Sequence, residues 1–593
     1  MSGLIREKDP MLSRLFYKLL PVQVAIVAAG SINTIVDGVV AARFIDSRTV
    51  GVVGLYYTVI RILEAAGAIL LGGISVLSGR YLGSGRIDKT KGVCSLGVVV
   101  ALIFGAVMTA LSFIAPGAIA DMLGANAQLR GDLAVYVKGY AVGIIPQLVA
   151  QQIAANLQLE RQENRGNLGI AVMIVVNVAL DILFVAVFKM GVWGLALSTS
   201  VANWAYFLVL AEYYCTKNAQ LRPSVRLVDW RELPAVVKIG FPNALLVACL
   251  AARSLVINRI LLAYAGSDGL SALSSFNMVC ALIIAVSLGT GALVRTLSSV
   301  FIGEENRESL VSLIKIVFSR VLLLVLLISA AVVCLAPKLA MIFFPDTGTR
   351  VYSMSRQLFK IYGFCIPATL ACIAYSSYCQ AAGHQLFSNI VSLTDGFLSM
   401  VIPALLLAPT LGAFGVWMSF PIGLGITLGV SMVYSIIRNR HWPRGLEEWL
   451  MLPPDLGTRD RLVLNLRDME DVTKTAEQVQ AFCDAHGIDK KTGAHAGLCL
   501  EEMAGNIVRH GFSADRRQHH IEVRVVLQPE NVMLRIKDDC IAFNPEEWYE
   551  MTSGEDPVSN VGIRLTYKLA EEVRYQNLLG LNVLTILLSH ASA

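Results

Sequence analysis

Shifted by 221 residues, the first three-quarters of this chain falls back on itself. Pro21, Pro116 and Pro146 recur as Pro242, Pro337 and Pro367, and Gly191-Val192-Trp193-Gly194 recurs as Gly412-Ala413-Phe414-Gly415. Each copy carries six apolar stretches long enough to cross the hydrocarbon of a bilayer, which takes about 20 residues. They run over 18–42, 50–78, 93–115, 133–157, 167–188 and 191–214 in the first copy, and over 236–263, 270–298, 312–335, 357–381, 388–409 and 412–437 in the second. Six is even, so both copies enter the bilayer from one side and the repeats are parallel, related by an axis along the membrane normal. The expected fold is an all-α membrane bundle of about twelve transmembrane helices in two six-helix repeats, followed by a small soluble α+β sandwich.

Charge separates the two parts. Only 16% of residues are charged and 55% are hydrophobic, against about a quarter charged in soluble domains. Residues 455–593 nevertheless hold 15 Lys and Arg against 22 Asp and Glu, leaving 34 against 22 in residues 1–454. A basic apolar body therefore precedes an acidic tail. The domains read as a first lobe, 1–225, a second lobe, 226–445, a linker, 446–459, marked by Pro453, Pro454 and Gly457, and a tail, 460–593. The 11 cysteines are scattered with no C-x-x-C pair, which indicates neither a zinc site nor a disulfide framework. Arg6, Lys8, Arg14 and Lys18 precede the first apolar run without a small-residue cleavage site, so that run reads as an uncleaved span.

Short loops set the orientation, because Lys and Arg collect on the cytoplasmic side. Connections after even-numbered spans hold Arg80, Arg86, Lys89, Lys91, Arg161, Arg165, Lys217, Arg222, Arg226, Arg231 and Lys238, and then Arg438, Arg440 and Arg444. Arg43, Arg48, Lys338 and Arg350 vote the other way. The balance places both termini in the cytoplasm of a multi-pass protein of a bacterial-type inner membrane.

The two copies differ in their acids. Asp37 and Asp181 fall in apolar stretches, and their counterparts 221 residues on are Asn258 and Ile402. A carboxylate in hydrocarbon costs several kcal/mol, so it faces a cavity, carries a proton or holds a cation. Asn177 lies one helical turn before Asp181, hence on the same face, and supplies a second oxygen suited to Na⁺ or a proton relay. The plainer reading of each aspartate is a wet helix end where it caps or pairs. Arg61 and Glu64, three apart in the second span, read first as an ion pair that makes the helix insertable, and second as lining of a transport path. Arg253, Arg259 and Asp395 stand in second-copy spans.

The run Val36-Asp37-Gly38-Val39-Val40-Ala41-Ala42-Arg43, the loop Gly79-Arg80-Tyr81-Leu82-Gly83-Ser84-Gly85-Arg86, Asn177 with Asp181, and Gly412-Ala413-Phe414-Gly415-Val416-Trp417 resemble the multidrug and toxic compound extrusion (MATE) transporters over residues 1 to about 440. The resemblance implies two six-helix lobes around a V-shaped cavity, with Asp37, Asn177 and Asp181 at the positions that bind H⁺ or Na⁺. It also implies antiport of amphipathic organic cations, with a small organic substrate and the lipid bilayer as partners and no nucleic acid.

In the tail, Arg461 to Leu466 reads as a strand, Thr473 to His486 and Lys491 to His510 as helices, and Ile521 to Leu527 with Val532 to Ile536 as a hairpin. A helix over Val561 to Ala570 and strands over Glu572 to Gln576 and Leu581 to Leu588 complete a mixed antiparallel sheet with helices on one face. Glu502 and Asn506 lie one turn apart in Glu501-Glu502-Met503-Ala504-Gly505-Asn506, then come Asp538-Asp539-Cys540-Ile541-Ala542 and Asn560-Val561-Gly562-Ile563-Arg564. This resembles the GHKL ATPases, and most closely the anti-sigma-factor serine kinases. A carboxylate polarises a hydroxyl or water, an amide oxygen ligates Mg²⁺, an aspartate accepts from the adenine amino group, and a glycine-led helix start receives phosphate. The resemblance puts those roles on Glu502 (catalytic), Asn506 (metal and nucleotide), Asp538 and Gly562. Cys540 and Ala542 stand where that family usually has glycine.

The leading expectation is an H⁺- or Na⁺-coupled secondary antiporter whose tail binds ATP and Mg²⁺ and contacts a cytoplasmic regulatory protein. A transporter-shaped receptor whose tail acts as an anti-sigma-type serine/threonine kinase is the alternative, and a flippase of a lipid-linked substrate is a second one. The chain has no Gly-x-x-x-x-Gly-Lys-Ser/Thr loop for direct ATP drive.

Overall fold

The last span of each copy begins with the same backbone turn. In the computed structural model, which describes residues 10–44, 47–123, 129–160, 162–216, 219–452, 461–512, 519–528, 530–551, 561–578 and 581–590, the side chains of 10, 29–44, 47–51, 54, 163, 550, 551 and 578 are outside the description. The first copy comprises α1 (Pro10–Phe44), α2 (Ser47–Gly83), α3 (Ile87–Ile114), α4 (Pro116–Met122), α5 (Arg130–Leu159), α6 (Glu163–Asp181) and α7 (Gly191–Ala211). The second comprises α8 (Leu233–Ile283), α9 (Ala285–Gly303), α10 (Arg307–Ile316), α11 (Leu322–Phe343), α12 (Arg350–Ala382), α13 (Gln385–Leu393), α14 (Ser399–Leu411) and α15 (Ala413–Asn439), and the short α16 (Leu446–Trp449) closes the body. Gly191 and Gly412, which start the last span of each copy, both have φ of +59°, a conformation that only glycine adopts without strain. An aromatic triad packs in each copy: Tyr56, Tyr136 and Tyr140 in one, Phe276, Phe359 and Tyr362 in the other.

Twelve candidate membrane spans result among the described residues. The expected division between spans seven and eight falls at Gly266, and the eighth span carries one further, unexpected break. Helix α8 continues from Leu233 to Ile283 with a single break at Gly266 (φ 68°, ψ −163°), and a second break at Ile284 (φ −93°, ψ 4°) separates it from α9. The equivalent of this second stretch in the first copy is α2, 37 residues without interruption. Short π-helical segments also escape periodicity, at Ile182–Val187, Val317–Val321 and Thr394–Leu398.

The copies meet through backbone at small residues. A Cβ on Gly83 would lie 2.1 Å from the Val300 carbonyl, and one on Gly303 would lie 2.2 Å from the Arg80 carbonyl, so α2 and α9 cross in a reciprocal contact. Similarly, a Cβ on Gly240 would stand 1.9 Å from the Ile69 carbonyl, bringing the start of α8 against α2. Such approaches replace a missing hydrophobic drive in lipid with dispersion contact between backbones. Hydrogen bonds between copies surround them: Asn243 Nδ2 donates to the Ala68 carbonyl at 3.3 Å, and Ser299 Oγ to that of Ser75 at 3.3 Å. The contacts at Gly83 and Gly303 join the copies at the end where the loops 84–86 and 304–306 emerge, here termed the closed end.

The tail, from Pro453 to Ala593, forms a separate compact unit. Its five strands, β1 (Arg461–Leu466), β2 (Ile521–Leu527), β3 (Asn531–Asp538), β4 (Glu572–Leu578) and β5 (Leu581–Ser589), are ordered β1-β2-β3-β5-β4. Every pairing is antiparallel, so the sheet is not mixed. Alternate residues Ile521, Val523, Val525, Val532, Leu534, Ile536 and Ile586 are fully buried beneath α17 (Met469–Ala485) and α18 (Lys490–Asn506). Helix α17 starts four residues before the expected Thr473, because Asp468 Oδ1 accepts the Asp471 N–H at 2.9 Å while Asp471 Oδ2 accepts that of Arg467. The end of α18 turns into a π segment at Ile507–Gly511, and α19 (Pro545–Met551), not expected from the sequence, precedes α20 (Val561–Leu569).

If the closed end depends on the glycine contacts, Gly83→Leu or Gly303→Leu must part α2 from α9. With the exposed cysteines Cys215 and Cys334 replaced, a cysteine introduced at the fully buried Ser299 is expected to react several-fold faster with a water-soluble maleimide in either variant. Gly131→Leu, where a Cβ meets nothing within 4 Å, should leave the rate unchanged.

Candidate functional site

The first-copy acids divide between a described and an undescribed side chain. Asp37 belongs to α1, which packs along α6, but its side chain lies outside the described residues. Asp181 closes α6 and immediately precedes the π segment Ile182–Val187, the kind of local widening that recurs at functional sites. Its carboxylate is fully buried, and Oδ1 accepts the hydroxyl of Ser198 from α7. One turn earlier, Asn177 is also fully buried and donates from Nδ2 to Thr199 Oγ1 at 3.4 Å. Asn177 Oδ1 has no hydrogen-bond partner among the described residues. The helix face expected from spacing therefore exists, and α7 supplies two hydroxyls that the sequence reading missed. Their signal was the polar run Ser198-Thr199-Ser200 in an otherwise apolar span.

Of the other intramembrane charges singled out in the sequence, one pair is local. Arg61 donates to Glu64 Oε2 at 2.6 Å within α2 and stacks 4.4 Å over the Tyr57 ring, as an ion pair and not a lone charge. In the second copy Arg253 Nη1 donates to the Asp395 carbonyl at 3.1 Å, while Arg259 is exposed.

In the tail, Glu502 and Gly562 come together. A Cβ at Gly562 would lie 2.0 Å from Glu502 Oε2, so only glycine lets the start of α20 rest on that carboxylate. Asp538 ends β3 in a buried position, where its Oδ1 accepts Asn582 Nδ2 at 2.7 Å and the Cys540 N–H at 2.9 Å. Strand register builds this arrangement: Asp538 pairs with Asn582 on β5, and Asn582 with Asn577 on β4. Tyr575 donates to Asn582 Oδ1 at 2.8 Å. Asn582 thus orients Asp538, a role invisible until the strands are aligned. Asn506, half-buried at the end of α18, has no hydrogen bond to Asp538 among the described residues. Burial pushes the Asp538 carboxyl up from its ordinary range, against the opposing pull of Asn582 and the Cys540 N–H.

These features define a two-lobed membrane carrier body, followed in sequence by a small α+β domain. The profile described as MatE matches residues 24–187 and again 242–405, once in each copy, and the chain belongs to the MatE family. The profile described as histidine kinase-like ATPase domain matches 467–587. Among curated proteins the chain is similar to the multidrug export protein MepA of Staphylococcus saprophyticus, 24% identical over 69% of this chain and 92% of that protein. It is likewise similar to MepA of Staphylococcus aureus, 22% identical over 73% of this chain and 96% of the relative. Solved structures share the fold: a MATE transporter in complex with MaL6 (TM-score 0.67, 19% identity, covering 72% of this chain and 96% of that one), and a MOP superfamily transporter from Pyrococcus furiosus (TM-score 0.65, 19% identity, 72% and 97%).

A carboxyl whose folded-state pKa is raised contributes stability below the unfolded value of about 4 and loses it as pH rises through the folded value. Asp538→Asn keeps an oxygen for both donors and removes that loss. Its tail is expected to melt no lower than the wild type at pH 7, with a flatter dependence of melting temperature on pH, checked by calorimetry from pH 4 to 8.

Proposed function

We propose that this chain is an ion-coupled antiporter exporting amphipathic organic compounds, with Asp37, Asn177 and Asp181 as the coupling site for H⁺ or Na⁺. The observation that carries the reading is the fully buried Asp181 carboxylate, met by Ser198 and accompanied by Asn177 with its free Oδ1. A buried carboxylate tolerates burial only when protonated or charge-balanced, so cation occupancy decides which lobe packing is stable. Substrate favouring the other packing then expels the cation, and the reverse, by linkage. The names of the similar proteins, multidrug export proteins, support the cargo class. Loop charge argues for an inner-membrane protein with both termini cytoplasmic, which makes the closed end of the body the cytoplasmic one. The proposed limits are 1–225 and 226–445 for the lobes, 446–459 for the linker and 460–593 for the tail.

The tail we read as a regulatory ATP-binding domain that meets a cytoplasmic protein. Both donors to Asp538 fall on Oδ1, so its second oxygen is the acceptor an adenine amino group would use. At the other end the Glu502 carboxylate lies against Gly562, where phosphate would arrive. Two anions side by side need a cation, and Asn506, one turn from Glu502, is the side chain that would hold Mg²⁺. Bound ATP would supply a transferable phosphoryl group; Glu502 would orient and deprotonate an acceptor hydroxyl.

The MepA relatives are covered over more than nine-tenths of their length by about seven-tenths of this chain, so the tail is what they lack. That favours a body able to transport alone, and gives a second reading, a receptor whose body only gates the tail as a serine/threonine kinase. In everted vesicles under an imposed pH or Na⁺ gradient, Asp37→Asn and Asp181→Asn are expected to insert normally and lose gradient-driven dye export. A chain ending at residue 454 should still export. Wild-type export rates in Asp181→Asn would remove the coupling site; no export by the shortened chain, with ligand-dependent phosphorylation of a partner by the full one, would install the receptor.

A further inference from the structure

The departure from glycine at Cys540 has a geometric counterpart. Ile521 at the start of β2 pairs with Asp538 at the end of β3, so the residues just before one strand lie beside those just after the other. There His519, Asp539 and Cys540 bring an imidazole nitrogen, a carboxylate oxygen and a thiol within 4.8 Å of one another, the only such group of three among the described residues. His519 Nδ1 stands 3.2 Å from Asp539 Oδ1, and both side chains are nearly enclosed, at 3% and 10% exposure. Cys540 is 4% exposed. Two backbone bonds fix the turn: His520 N–H donates to Asp539 Oδ1 and Cys540 N–H to Asp538 Oδ1, each at 2.9 Å.

We propose that His519, Asp539 and Cys540 form a binding site for a zinc-class divalent ion in the tail. Zinc takes imidazole, thiolate and carboxylate at about 2.0–2.3 Å in tetrahedral array, which separates nitrogen from oxygen by about 3.4 Å. The observed 3.2 Å matches that edge, and the thiol stands within 4.8 Å of both atoms. Three protein ligands leave a fourth position for water or another oxygen donor, as in open zinc sites. Ion entry displaces the thiol proton to solvent and moves the imidazole proton from Nδ1 to Nε2, so one proton leaves for each ion bound and affinity weakens as pH falls. Glycine at position 540 supplies no ligand, so the same residue that departs from the family pattern creates the site.

This goes beyond the nucleotide reading and does not need it. The link between them is mechanical: the Cys540 N–H that the ion would pin is a donor to Asp538.

The full-length protein in detergent, stripped of metal and titrated with Zn²⁺, is expected to retain about one ion per chain. Loaded with Co²⁺, it should show a thiolate-to-cobalt charge-transfer absorption. Cys540→Ser and His519→Gln should each weaken Zn²⁺ affinity at least about tenfold, and Cys540→Ser should abolish the cobalt band. Cys499→Ser, in the same core, should keep both. Absence of the band in the wild type, or Zn²⁺ affinity equal in wild type, Cys540→Ser and His519→Gln, overturns the site. Zinc bound with no ATP bound at any zinc level leaves the site in place and removes the nucleotide reading instead.

Discussion

The two halves of the body touch where a side chain would not fit. Carbonyl groups of Ile69, Arg80 and Val300 occupy space that any Cβ on Gly240, Gly303 or Gly83 would claim. In a lipid solvent, apolar side chains gain nothing by leaving lipid for one another, so association falls to close dispersion contact and to a few hydrogen bonds such as Asn243 to Ala68. A contact of this kind is short-ranged and separable. It can hold one end of the body shut and still be exchanged for another packing at modest cost, which a large greasy interface could not do.

Much of the architecture was legible because it is periodic. The recurring prolines and the Gly191 and Gly412 pair announce duplication, and their matching positive φ values show that the repeat extends to backbone conformation. Strands β1 and β2 begin and end where alternation places them. What escaped was aperiodic. Composition gives no sign of a break at Ile284, an apolar residue in an apolar run, and none of the π segments, which insert one residue into an otherwise helical pattern. Helix α17 was started late because Asp468 was not recognised as a cap.

Sites were legible as chemistry and illegible as assembly. Asn177 and Asp181 announced themselves as polar atoms in hydrocarbon, and helical spacing put them on one face. Ser198 and Thr199, on another helix, join them only through tertiary packing. Asn582 meets Asp538 by strand register, forty-four residues apart in sequence. The scattered cysteines carried no metal-binding spacing, yet Cys540 ends beside His519, because zinc spacing rules describe ligands on one loop and not ligands delivered by two strand ends.

The unbroken 37-residue α2 and its jointed twin have a consequence for how such a molecule moves. A rigid rod passes a tilt at one end undiminished to the other; a rod with an elbow absorbs it. The half that carries Asp181 thus holds the stiff lever and its twin holds the hinge, so the two products of one duplication differ in how they pass on a tilt.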